Sequence, residues 1–347
     1  MNLSKEAMKL ASEDAIPFTK EGFSLCSPIY IATTSHVKNT LDLYEGYRDV
    51  LSVCGTGAHA FEALLRGAKH VDLFDINQLQ LVYFLFMKTA ITILPYEDFV
   101  LYFSSKIDEE EEIDDKDLLA GDVYSKLEEY LPDFVKSVLG PIYKKFSNED
   151  ILDSRLVRYN HNFTLPYLQS VASFYSEEEY YKLQNILRSN PEIISIYPYS
   201  LEEVPSKFSG CYDLILLDNV LEYYSSMRGL NSPDKVDSFI KSELSSLLRP
   251  DGNIQTTYSY GFDTDYFMRK LGLSDGSTGD FFEDEFLGAI PMSSFLGDLF
   301  SKEVGNLEAE NLAVPLYTDY EGYEYSVFSG ADITDGDNMV LTYSKKN

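Results

Sequence analysis

Residues 49–77 read DVLSVCGTGAHAFEALLRGAKHVDLFDIN. Asp49 to Cys54 is a short apolar run closed by Gly55, the pattern of a strand buried on both faces of a parallel sheet. His59 to Arg66 has helical spacing and stops at Gly67, and His70 to Asp75 is a second apolar run. Strand, glycine turn, helix and strand in this order form a βαβ unit. A long apolar helix from Asn77 to Leu94 follows, ended by Pro95.

The Gly55-Thr56-Gly57 turn lies where strand passes into helix. Glycine lets a ligand approach the backbone there, and the helix N-terminus offers unpaired N–H donors. Gly55 to Ala60 fits G-x-G-x-x-[GA], and Asp75 stands 20 residues after Gly55, at the carboxyl end of the second strand. A carboxylate in that place accepts two hydrogen bonds from ribose hydroxyls. The pattern therefore predicts a nucleoside-containing ligand held by Gly55, Thr56, Gly57, Asp75, Ile76 and Asn77. The plainer reading is a tight turn with a solvated aspartate.

Outward from this unit, residues 1–48 read as a helical segment, with Thr33-Thr34-Ser35 capping a helix that runs to Tyr44. Residues 49–103 form the first half of a Rossmann-like core. Residues 104–190 show helical spacing and no strand, with helices expected over Leu118–Tyr130, Asp133–Phe146 and Glu177–Arg188. We read them as a helical insertion between the second and third strands, opened by the acidic stretch 108–115, a solvated loop. Residues 191–347 resume the alternation: strands at Ile193–Tyr197, Tyr212–Leu217 and Asn253–Tyr260, a helix from Pro233 to Leu248, and tail strands near Val314–Tyr317, Tyr323–Phe328 and Met339–Tyr343. The fold class is α/β with a mostly parallel sheet.

Composition narrows the partners. The formal net charge is −29, and so negative a surface repels phosphate backbones, which excludes nucleic acid and disfavours anionic membranes. A small molecule, a neutral lipid or a basic protein is compatible. The three cysteines, Cys26, Cys54 and Cys211, and four histidines, His36, His59, His70 and His161, show no disulfide or metal-ligand spacing, so no metal is expected. The N-terminus lacks the apolar stretch of a signal peptide and no run is long enough to span a bilayer, so the expected location is cytoplasmic. The sequence holds 27 Tyr and 22 Phe but no Trp, an aromatic content that suits interior packing more readily than a Tyr-lined pocket.

Adenosine belongs to several cofactors, and NAD and S-adenosylmethionine both suit the turn and the aspartate. Two features favour the second. Leu247-Leu248-Arg249-Pro250-Asp251-Gly252 resembles the L-L-[KR]-P-G-G turn before the fifth strand of class I methyltransferases, with Asp251 in place of the first glycine. Asp213–Asn219 (DLILLDN) resembles the fourth strand of that fold, ending in a polar pair at the ligand edge. Tyr30-Ile-Ala-Thr-Thr34, Val50–Ala68, Asp75-x-Asn77-x-x-Gln80, Lys88 and Tyr96-Glu-Asp-Phe99 are together similar to the 3-amino-3-carboxypropyl transferase family of betaine-lipid synthesis and its uncharacterised bacterial relatives. Arg158-Tyr-Asn-His-Asn162 and Tyr167-Leu168 extend that likeness loosely.

The resemblance implies a Rossmann-like class I methyltransferase fold and an S-adenosylmethionine-dependent transferase moving a methyl or a 3-amino-3-carboxypropyl group. An acidic residue common on the first strand of such enzymes is missing, with Ser52 near its place, so the contact to the methionine amino group must come from elsewhere. Asp218 and Asn219 face the cofactor. Asp218 is the candidate for positioning or base work, joined by Glu222 if the segment is helical. Tyr199 is a candidate stacking residue for the adenine. Tyr30, His161, Tyr223 and Tyr258 are candidates for the acceptor pocket, as are Tyr224 and Tyr260, although core packing is the better account of any one of these tyrosines. His59, opening the crossover helix, reads as a capping or surface histidine rather than a ligand contact. Lys88 reads as paired with a carboxylate or snorkelling. Two alternatives remain: a nucleoside-binding module without catalysis, and an NAD-dependent oxidoreductase.

Overall fold

The computed structural model describes residues 2–14, 25–33, 35, 37–41, 46–107, 113–114, 121–158, 163–221, 233–258, 307–315 and 337–345. Its centre is a seven-stranded sheet of β1 (Asp49–Val53), β2 (His70–Phe74), β3 (Ile194–Tyr197), β4 (Tyr212–Leu216), β5 (Leu248–Tyr258), β6 (Leu307–Pro315) and β7 (Asp337–Lys345). The spatial order is 3-2-1-4-5-7-6. Strands β3, β2, β1, β4 and β5 are parallel, and β7 runs antiparallel to both β5 and β6. This is a Rossmann-like α/β fold with a mostly parallel sheet, as the spacing of the apolar runs predicts.

Twelve helices surround the sheet among the described residues: α1 (Leu3–Leu10), α2 (Val37–Leu41), α3 (Ala58–Leu65), α4 (Gln78–Ile93), α5 (Tyr96–Phe103), α6 (Gly121–Leu127), α7 (Asp133–Tyr143), α8 (Asn148–Leu152), α9 (Leu165–Val171), α10 (Glu177–Ser189), α11 (Val204–Lys207) and α12 (Pro233–Ser242). The side chains of the strands alternate between two cores, as the two-residue period of a strand requires. Val50, Val71, Leu73, Leu214 and Leu216 join one large buried cluster with α3, α4 and α10. Leu51, Phe74, Ile215 and Leu217 are equally buried but lie outside that cluster, as do Leu201, Val204, Phe208, Phe239 and Ile240 around α11 and α12.

The insertion shares the large core instead of standing apart. Phe99 of α5 packs against Phe174, Tyr175 and Tyr180, and Phe61 of α3 lies 5.3 Å from Phe174. Tyr175 and Tyr180 are fully enclosed here, their hydroxyls pushed above the usual tyrosine range by burial. Glu62 of α3, also fully buried, accepts the Ser173 N–H at 2.9 Å and pairs with Arg66. Much of the aromatic content thus joins the insertion to the sheet.

The elements differ from expectation in three places. The insertion contains two-residue strands, Lys106–Ile107 paired with Ile113–Asp114, and Val157–Arg158 paired with Ile29–Tyr30. So short a strand has no period for a sequence to display. In the N-terminal segment residues 25–33 are non-helical, with the Ile29–Tyr30 strand among them. β5 begins at Leu248, before the Arg-Pro-Asp-Gly turn, because Tyr212 of β4 pairs with Leu248 and the register then shifts. The expected strand at Tyr323–Phe328 and most of the acidic stretch lie outside the described residues. No helix among the described residues is long and apolar enough to cross a membrane.

Candidate functional site

The carboxyl ends of β1, β2 and β4 meet where the strand order reverses, the place at which open α/β sheets bind ligands. From β1 the chain enters the glycine turn. Gly55 and Gly57 have φ of +46° and +86°, in the left-handed region that favours glycine. Their roles separate on what a side chain would meet. A Cβ on Gly57 would stand 2.3 Å from the Phe84 ring, so Gly57 is required for packing against α4. A Cβ on Gly55 would project into open space, a cradle for something beside the backbone. Gly57 then caps α3, and the Thr56 hydroxyl accepts the Ala58 N–H at 3.4 Å.

Asp75 follows β2. Its carboxylate accepts the Asn77 N–H at 2.8 Å and the Gly55 N–H at 3.3 Å, which ties it to the glycine turn. Enclosure by protein raises its pKa to about 7, although both N–H groups pull the other way. Ile76 is half-buried beside it.

Asp218 follows β4. It is one of two non-glycine residues with positive φ among the described residues, at +47°. Its carbonyl accepts the Thr256 hydroxyl of β5 at 2.8 Å, and its carboxylate accepts the Ser35 hydroxyl at 2.8 Å. Left-handed backbone in a non-glycine residue is costly and tends to be kept at functional sites. Asn219, next along, is half-buried in the same turn.

His59, in the first turn of α3, is neither capping nor at the surface. Only 4% of it is exposed, and its Nε2 is buried without a hydrogen-bond partner. Desolvation lowers its pKa, opposed by the nearby Asp218 carboxylate. The imidazole is therefore neutral at pH 7.

A strap of N-terminal chain forms one wall. Asn77 accepts the Ser27 N–H at 3.0 Å and donates to the Ser27 and Pro28 carbonyls. Gln80 accepts from Tyr30 N–H at 2.8 Å and donates to Tyr30 C=O at 2.9 Å, and the Tyr83 hydroxyl donates to the Ile31 carbonyl. Residues 77, 80 and 83 share one face of α4, and the strap they hold delivers Ser35 to Asp218.

This corrects several expected contacts. Asn77 is 3% exposed, and its side chain is engaged by the strap and by the Leu79 N–H, so it positions the site without facing a ligand. Tyr30 joins the strap through its backbone N–H and carbonyl, which leaves the expectation for its side chain as it was. Ser52 is fully buried and donates to the Val53 carbonyl, so its hydroxyl points to no ligand. The Tyr199 ring packs with Tyr197 and Phe208, with the Lys207 ammonium over it. Lys88 donates to the Pro191 carbonyl at 2.8 Å, tying α4 to the entry of β3. Tyr258 is the last residue of β5, opposite Met339 of β7. Glu222, His161, Tyr223, Tyr224 and Tyr260 lie outside the described residues.

The Leu247–Gly252 motif is at the other end of the sheet. Arg249 bridges Asp213 at 2.9 Å and Asp49 at 2.5 Å, and Asp213 also accepts the Arg48 and Asp49 N–H groups. Asp251 is the second left-handed aspartate, φ +64°, and a Cβ on Gly252 would lie 2.9 Å from the Tyr212 carbonyl oxygen. The motif fixes strand ends.

No protein-family model matches this chain, and no curated protein does. Among solved structures it is similar to the N-methyltransferase NodS from Bradyrhizobium japonicum WM9 in complex with S-adenosyl-L-homocysteine, at 10% identity over 100% of both chains, TM-score 0.34. It is also similar to the magnesium protoporphyrin IX methyltransferase ChlM from Synechocystis PCC 6803 with bound SAH, at 9% identity over 87% of this chain and 75% of that one, TM-score 0.30. A third is the ribosomal protein L11 methylase from Lactobacillus delbrueckii subsp. bulgaricus, at 11% identity over 90% and 75%, TM-score 0.32. At this distance the assignment of the fold rests on the strand order, and that of the site on its geometry.

Proposed function

We propose that this chain is an S-adenosylmethionine-dependent transferase acting on a small-molecule or neutral lipid acceptor. The observation that carries the reading is the Asp75 carboxylate at the end of β2, tied to a glycine turn whose Gly55 leaves a cradle open. The buried Nε2 of His59 nearby has no partner, as a ligand-completed site requires. NAD fits less well. The dinucleotide order 3-2-1-4-5-6 has a second parallel half to hold its second nucleotide. Here the antiparallel β7 separates β5 from β6.

In this reading Asp75 accepts the ribose hydroxyls, Ile76 lies against the adenine, and the Gly55–Gly57 backbone lets the ligand cross from β2 to β4. The bound cofactor supplies a sulfonium that activates its three carbon neighbours toward a nucleophile. What the protein adds is alignment. Asp218 stands at the switch point, where its carboxylate helps to align the reacting groups. Glu222, His161, Tyr223 and Tyr258 belong to the acceptor side in the same proposal. The betaine-lipid resemblance favours aminocarboxypropyl transfer, and the fold at large favours methyl transfer.

Calorimetric titration with S-adenosylmethionine, S-adenosylhomocysteine, methylthioadenosine and NAD tests the proposal, with Asp75→Ala alongside. Saturable binding of the adenosyl-sulfur ligands, lost in Asp75→Ala, is the expected result. Preference for NAD, or no binding, would overturn it. Binding with no group transferred to any acceptor would leave a nucleoside-binding module.

A further inference from the structure

The first strand offers no carboxylate for the ammonium of an amino acid, since Ser52 is buried and hydrogen-bonded to its neighbour. We propose that Asp218 and His59 do this work, holding the amino-acid end of the adenosyl-sulfur ligand, Asp218 by its ammonium and His59 by its carboxylate. This inference rests on the cofactor reading above.

The path of the ligand sets the place. With its ribose on Asp75 at the end of β2, the molecule crosses the glycine turn at the end of β1 and arrives at the end of β4. Three groups from three elements converge there: Asp218 after β4, His59 from the first turn of α3, and Ser35 from the strap. The Ser35 hydroxyl holds one oxygen of the Asp218 carboxylate at 2.8 Å, which fixes the group's orientation. An ammonium is the complement of that carboxylate.

His59 supplies the other half. A buried polar atom with no partner costs about 1–3 kcal/mol, and the His59 Nε2 is such an atom. A neutral imidazole donates through one ring nitrogen. The tautomer with hydrogen on Nε2 would donate to a carboxylate, and the positive end of α3 lies at the same turn. The ammonium and carboxylate of a zwitterion are thus matched by an anionic and a donating group on adjacent elements. His59 follows β1 by way of the glycine turn and Asp218 follows β4, and these two strands are paired neighbours in the sheet, so the two halves of the seat come from adjacent strand ends.

Titration of the full-length protein with two probes isolates this end, because methylthioadenosine shares the adenosine and the sulfur of S-adenosylhomocysteine but has no amino-acid group. The unmodified protein is expected to bind S-adenosylhomocysteine about tenfold or more tightly than methylthioadenosine. Asp218→Asn, whose side chain tolerates the left-handed backbone, is expected to weaken S-adenosylhomocysteine about tenfold and methylthioadenosine less than about twofold. His59→Leu is expected to show the same selectivity at about fivefold, and to melt no lower than the parent, since it removes the unpartnered atom. Asp75→Asn should weaken both probes alike. Equal weakening of both probes by Asp218→Asn and His59→Leu, or no weakening of either, would overturn the seat while leaving the cofactor reading intact. If Asp75→Asn changes neither probe, or the parent binds neither, the cofactor reading falls and the seat falls with it.

Discussion

The two ends of the parallel sheet use the same residue type to opposite effect. At the carboxyl ends of the strands, Asp75 is enclosed with only two backbone donors and its pKa rises to about 7. At the amino ends, burial also pushes Asp213 up, but the Asp49 and Arg48 N–H groups and the Arg249 guanidinium outweigh it and hold the carboxyl below its usual range. Each end also has one left-handed aspartate, Asp218 above and Asp251 below. The lower end has its charges paired internally and serves stability. The upper end leaves charge and donors under-satisfied, which is a configuration a ligand completes.

The largest expected effect comes from Asp75. Its folded pKa lies above the value near 3.8 of a free aspartate. The folded state therefore holds a proton that the unfolded state has lost between these values, and stability falls as pH rises from 4 to about 7. Asp75→Asn should flatten that slope and raise stability at pH 8 by roughly 2–4 kcal/mol in denaturant titrations, while weakening S-adenosylhomocysteine and methylthioadenosine alike. In the parent, affinity should rise with pH across neutrality, because ribose hydroxyls donate to the ionised carboxylate. A melting curve with no change of slope would break the contrast between the ends.

Arg249→Ala attacks the other end. With Asp49 and Asp213 deprived of their shared partner, a loss of about 1–3 kcal/mol is expected by the same titration, with S-adenosylhomocysteine affinity unchanged. A loss of affinity would show that the two ends are coupled. The two glycines sharpen the comparison within the site. Gly57→Ala drives a methyl into Phe84 and should destabilise by about 1–3 kcal/mol. Gly55→Ala meets no protein atom, so its stability cost is the left-handed strain alone, about 1 kcal/mol, and its main effect should be on ligand affinity.

The smallest effect separates the two left-handed aspartates. Asp251→Gly should stabilise by about 0.5–1 kcal/mol, since glycine adopts that backbone without strain, and should leave binding untouched. Asp218→Gly relieves the same strain yet should lose the ligand. If both substitutions behave alike in calorimetry, Asp218 is a turn residue and no more.

Residues 49–77 determined a great deal by themselves. Two apolar runs, a glycine turn and an aspartate at fixed spacing suffice for a βαβ unit, because buried parallel strands need continuous apolar sequence and the turn needs left-handed backbone. The spacing located Asp75 at the carboxyl edge of the sheet, and the Leu247–Gly252 motif located the start of the fifth strand. Tertiary structure decided which polar side chains are taken up by bonds within the protein. Asn77 and Gln80 share a helix face whose sequence spacing was visible, but their partners are backbone groups about fifty residues away in the strap. His59 has the same local sequence whether it caps, faces water or lies buried. Burial by the assembled fold sets its environment, with Asp218 contributing from the end of a strand more than a hundred residues later. Periodicity records how a segment meets its nearest layer. Pairing between distant side chains leaves no period, and so the seat of the site had to wait for the fold.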